Sequence, residues 1–159
     1  HGYVELAPDG DIVESLREQG DRLVATWRAL PSGAQGFRYA AGKWSTEELL
    51  GHIVDTERVF SYRAMSFLRG LKDALPGVDQ DVMVAHADSD ARGIDSLISE
   101  FEHLRKSNVE CFRGLSKAQG DWKGTASDHE ISVRALLFIL HGHAQHHANV
   151  LAERYVIPV

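Results

Sequence analysis

Four of the nine histidines in this chain fall at positions 141, 143, 146 and 147, inside the stretch "HGHAQHHANVLAERY". Imidazole is a nitrogen ligand for divalent metals and carries protons near neutral pH. It is otherwise poor filling for an apolar core. On a helix, residues four apart differ by about 40° in azimuth and sit one above the other. Only His143 and His147 have that spacing, and they prolong the apolar line of Leu136 and Leu140. Both therefore face an interior, where an unpaired imidazole is costly to bury. Two stacked imidazoles make half of a divalent metal site. Two core histidines hydrogen-bonded to neighbouring helices would satisfy the same pattern. His141 lies about 200° from His143 and points elsewhere. His146 stands beside the pair, at the flank or rim of such a site.

A third ligand has to come from another element. In "LLGHIVDTE", His52 lies with Leu49, Ile53 and Thr56 on the core-facing stripe of a helix. Three histidines leave a metal with open positions for water or substrate, the arrangement of catalytic centres. Neutral ligands also leave the ion its full charge, so a water or thiol meeting it is strongly acidified. Asp55, three residues after His52, is placed to receive the N–H of a ligating imidazole or of a water. It reads equally well as a solvated carboxylate on a helix surface. With His146 and Glu57 it completes the candidates for proton transfer. His86 and His129 fall in connections and His103 on an outer helix face; His1 is left out of the site.

These residues need scaffolding, and the hydrophobic periodicity supplies four helices. The first spans about 11–30, with Ile12, Leu16, Leu23, Val24 and Trp27 on one stripe. The second starts after Ser45, where Ser45 and Glu48 form a capping-box pattern, and runs to about 69. The third covers about 91–115 and the fourth about 132–155. Almost nothing alternates like a strand. The expectation is an all-α four-helix bundle forming a single domain over 1–159. Two long links, 71–90 and 116–131, are expected to shape the mouth of the site.

Composition narrows the function further. Net charge is −6, and lysines and arginines are scattered, with Arg105 and Lys106 the one adjacent pair, so no basic stripe offers itself to nucleic acid. The longest apolar run, "ALLFIL" at 135–140, is far short of a membrane span. The opening "HGYVELAPDGD" is polar and turn-rich, unlike a leader peptide. A lone cysteine, Cys111, excludes an internal disulfide and fits a reducing cytoplasm, the expected location. The second Glu-x-x-His motif of a di-iron bundle is missing, as are H-E-x-x-H, G-x-S-x-G, the P-loop and G-x-G-x-x-G.

Three stretches, "KWSTEELLGHIVDTERVFSYR", "LPGVDQDVMV" and "HGHAQHHANVLAERY", resemble the DinB/YfiT-like superfamily in its DinB_2 type. The family pattern has one histidine in its second helix and an HxxxH pair in its last; His52, His143 and His147 occupy those positions here. The resemblance implies a four-helix bundle holding one divalent ion, nickel or zinc first, iron or manganese next. It also implies a homodimer and a small-molecule substrate, including low-molecular-weight thiols. Relatives of this type are thiol S-transferases, isomerases or metal-dependent hydrolases, and the resemblance gives no role to Asp79 or Asp81. The expected function is a metalloenzyme activating a water or a thiol. The alternatives are a metal- or ligand-binding bundle without catalysis and a purely structural bundle. Dimerisation is expected through the second helix, because Phe60, Tyr62, Met65 and Phe67 cannot all face one interior.

Overall fold

The computed structural model describes residues 2–155. A 3-10 turn at Val4–Leu6 precedes α1 (Ile12–Arg28), α2 (Thr46–Leu68), α3 (Gln80–His86), α4 (Ser89–Arg92) and α5 (Ile94–Phe112). Then follow α6 (Lys117–Gly120), a hairpin of β1 (Lys123–Ala126) and β2 (His129–Ser132), and α7 (Val133–Arg154). The four long helices are those expected from the periodicity, and their ends obey local chemistry. Asp11 caps α1 by accepting from the Val13 and Glu14 amides, and Ser132 caps α7 by accepting from Ala135. At α2 the capping box is complete: Ser45 Oγ accepts the Glu48 amide at 3.0 Å, and the Glu48 carboxylate accepts the Ser45 amide at 2.8 Å.

The third helix is shorter than its sequence pattern. Gly93, at φ 75°, breaks the chain between α4 and α5, a conformation open to glycine at little cost. The hairpin is the unexpected element. Its strands "KGTA" and "HEIS" are too short and too mixed in polarity to alternate legibly. Its turn places Ser127 and Asp128 at positive φ without the usual Asn-Gly signal.

Around the bundle, α1 packs on α5 and α7, and α2 packs on the same two helices. The first two helices thus stand diagonally across from each other, and α7 shares its longest interface with α2. The interior divides into two apolar clusters. One gathers Leu23, Trp27, Leu50, Ile53, Phe101 and Leu151; the other gathers Leu16, Ala64, Phe112, Val133, Leu136 and Leu140. Buried polar side chains lie between them: Gln19, His52, Glu57, Arg105, Asn108, His141, His143 and His147.

The connections do more than span distance. Leu75 of the first link exchanges backbone hydrogen bonds with Thr125 and Ser127 of the hairpin, so the two links are joined. The hairpin also lies over Phe67, whose ring occupies the space a side chain at Gly124 would fill. Phe67 is therefore buried, Phe60 and Met65 are half-buried, and of the four only Tyr62 remains exposed. No helix among the described residues is long and apolar enough to cross a membrane.

Candidate metal centre

The α2–α7 interface carries the site. His52 projects from the inner face of α2, and His143 and His147 from successive turns of α7, as their spacing requires. All three are buried. The His52 Nε2 lies 3.0 Å from the His143 Nε2, which lies 3.2 Å from the His147 Nε2. The candidate ligand atoms of the three rings fall within 4.8 Å of one another.

Those separations fit a cation. Ligands held about 2.0–2.1 Å from a tetrahedral ion sit a little over 3 Å apart. The Nδ1 of His147 is buried with no hydrogen-bond partner. Burial pushes the three imidazoles down, His52 to about 4, His147 to about 3 and His143 to about 2, with mutual repulsion adding to the last two. They are neutral at physiological pH, the state that ligates.

Aromatic walls enclose the cluster. The Trp44 ring lies 4.8 Å from His52 and 6.5 Å from His147. From the other side, Tyr3 stands edge-on to His143 at 5.4 Å and tilted against His146 at 5.5 Å. The Tyr3 segment gets that close because residue 142 is glycine: a Cβ there would lie 1.7 Å from the Tyr3 carbonyl oxygen. Neither wall announces itself in the sequence; a tryptophan before a cap and a tyrosine near the start carry no spacing signal.

Two grooves reach the centre. One, of about 240 Å³, exposes His52 and His143 among Asp55, Phe60, Arg63 and Met83. The other, of about 360 Å³, exposes His147 and His146 among Tyr39, Trp44, Asp81 and Tyr155. Asp55 is half-buried, and its carboxyl is pushed up by burial. It lines the first groove, but no hydrogen bond among the described residues joins it to a ligand ring. His146 lies at the rim as expected, its ring 5.0 Å from that of His147. The first link supplies Val78, Gln80 and Met83 to the groove; the second stays outside it and acts through Arg63, which Ser127 helps to hold.

Glu57 is a correction. It does not face the site; it is buried against Arg105, which donates to both its oxygens at 2.8 Å, and Asn108 donates to it at 2.9 Å. Five residues after His52, it has turned to the α5 side of α2, so it is a structural partner and not a base. His141 is outside the cluster, as its azimuth requires, yet it is buried, with neither ring nitrogen hydrogen-bonded. His86, His103 and His129 are exposed.

The fold has a solved counterpart: YfiT from Bacillus subtilis, described as a probable metal-dependent hydrolase with an unusual four-helix bundle topology. The two share 16% sequence identity at a TM-score of 0.76, over 89% of this chain and 82% of that one. No curated protein matches the sequence. The DinB superfamily pattern matches residues 15–151, taking in all three histidines and most of the bundle. The chain belongs to the DinB superfamily.

Proposed function

We propose that this protein is a divalent-metal-dependent enzyme whose ion, nickel or zinc, is held by His52, His143 and His147. The convergence of three buried, neutral Nε2 atoms carries the reading. Bound there, the ion supplies Lewis-acid chemistry: it lowers the pKa of a water or small thiol that meets it. The substrate class is a hydrolysable small molecule or an electrophile that accepts the thiol. The likeness to a probable metal-dependent hydrolase favours the water version.

The chain's own residues do the rest. Trp44 and Tyr3 exclude bulk water from two sides of the ligands. Asp55, on the groove wall and raised by burial, is the group assigned to take the nucleophile's proton. His146 offers a second proton carrier at the opposite rim. Elemental analysis of purified protein is the first test, with about one ion per chain expected. Turnover of ester, amide and thiol–electrophile panels, lost in His147→Ala, then separates an enzyme from a metal-binding bundle.

A further inference from the structure

Among the described residues two arginines are buried, and they are treated differently. Arg105 is bidentate to Glu57. Arg63 has no carboxylate within ion-pair distance among the described residues. Its Nη2 donates to the Pro76 carbonyl at 2.8 Å and to Ser127 Oγ at 2.9 Å. Its Nε and Nη1 donate to no protein atom among the described residues. Only 7% of the side chain's residue surface is exposed, and burial alone holds its pKa below the ordinary value. Its charge has no counter-charge among the described residues, and Nε and Nη1 are not sealed from solvent, so both stand open to an anion from outside.

That cation borders the groove that exposes His52 and His143. Phe60 joins the two ends: its ring centroid lies 5.7 Å from the Arg63 guanidinium carbon and 6.4 Å from the His143 ring. The rest of the lining is largely apolar, from Tyr3, Val59, Val78 and Met83, with Thr56 and Gln80 among them. Asp55 is the one carboxylate on this lining; burial pushes its carboxyl up, with Glu100 adding to that and Arg58 and Arg92 opposing it.

We propose that this groove binds a small organic anion, its carboxylate or phosphoryl group on Arg63 and an apolar spacer along Phe60. The reacting end of such a molecule lies at the histidines, so the inference rests on the metal-enzyme reading and names its substrate class. With Nη2 committed to Pro76 and Ser127, the guanidinium still has Nε and Nη1 to donate single charge-assisted hydrogen bonds to such a group. The Pro76 and Ser127 contacts serve to hold the fork in place.

The test uses 3-phenylpropionate and 3-phenylpropionamide, alike in shape and different in charge, titrated by calorimetry or protein NMR into zinc-loaded and metal-free protein. The acid is expected to bind about tenfold tighter or better in both forms, the scale of a charge-assisted pair. Arg63→Gln should erase the preference and Arg63→Lys should keep part of it. Ser127→Ala, which removes a tether and not the charge, should retain it. Equal affinity for acid and amide in metal-free wild type, no binding of either at millimolar concentration, or an unchanged preference in Arg63→Gln would overturn the proposal. Normal zinc binding without anion preference removes this inference alone. Anion preference without zinc binding removes the metal reading and leaves the anion site standing.

Discussion

His52 and Glu57 are five residues apart on α2 and both are buried, yet the polar layers they belong to are built differently. Around Glu57 the hydrogen bonds run on from helix to helix, and only the His141 ring at the far end stays unpaired. Arg105 Nη1 donates to the Leu16 carbonyl at 3.0 Å and to Gln19 Oε1 at 3.1 Å, and Gln19 Nε2 donates to the His141 carbonyl at 2.9 Å. That chain ties all four long helices together. Gly20 makes room for it, since a Cβ there would lie 2.7 Å from the Arg105 side chain. Around His52 the three rings have only each other, and His147 keeps a nitrogen with no partner. A buried polar group is ordinarily paired: the Glu57 carboxylate is, by charged and amide donors, whereas the three imidazoles converge only on one another, as ligands do around an ion.

The comparison can be broken most directly at the histidines. His143→Ala should abolish stoichiometric metal binding, because it removes the ring whose Nε2 neighbours both others. Inductively coupled plasma analysis reads this, and wild-type metal content in the variant would refute the ligand set. Binding should also weaken on acidification, as protonated imidazoles cannot ligate.

Next in size is the closed layer. Glu57→Ala leaves Arg105 buried and unpaired, which should cost about 3–5 kcal/mol in stability. Urea denaturation measures it, and a change under about 1 kcal/mol would show that the network is not what joins the helices. Metal binding, where the variant remains folded, should survive.

Acid should distinguish the layers in the metal-free protein. His52, His143 and His147 have folded-state values well below the ordinary 6.5. The unfolded chain therefore binds more protons, and the stability present above pH 6.5 is lost as the pH falls toward 4. Each such group contributes a slope of up to about 1.4 kcal/mol per pH unit. Denaturation midpoints across that range should fall, and the fall should be shallower in His52→Gln. The smallest effect on the fold belongs to Tyr62, more than half exposed on α2. Tyr62→Glu should leave stability within about 0.5 kcal/mol. If α2 is the surface of the proposed homodimer, light scattering should show the variant as a monomer.

The histidine layer was legible in the sequence and the Glu57 layer was not, for a physical reason. His143 and His147 repeat at a helical interval and lie in line with Leu136 and Leu140, so spacing alone turns them inward. The partners of Glu57 are Arg105 and Asn108 on α5, with Gln19 of α1 joined through Arg105, and no local pattern marks a charge that will be paired across a bundle. The four long helices were legible from their stripes and caps. The hairpin was hidden because its four-residue strands owe their pairing to Phe67 and Leu75 and not to their own alternation. Trp44 and Tyr3 became walls only through close approaches elsewhere, such as the one Gly142 permits. Asp55 reached the groove as its position allowed, half-buried and without a hydrogen bond to a ligand ring among the described residues.

The diagonal placement of α1 and α2 has a consequence for how the chain is made. In an up-and-down bundle the first helical hairpin can close as soon as it is synthesised. Here the first two long helices hardly touch, and each buries its stripe against α5 and α7. Contacts between distant segments form slowly because the intervening chain must first be ordered. On the ribosome, residues 12–68 therefore expose their apolar faces until at least α5 has emerged. The histidine cluster comes later still, when the last helix brings His143 and His147 to His52. The three-histidine cluster can form only once α7 has been made.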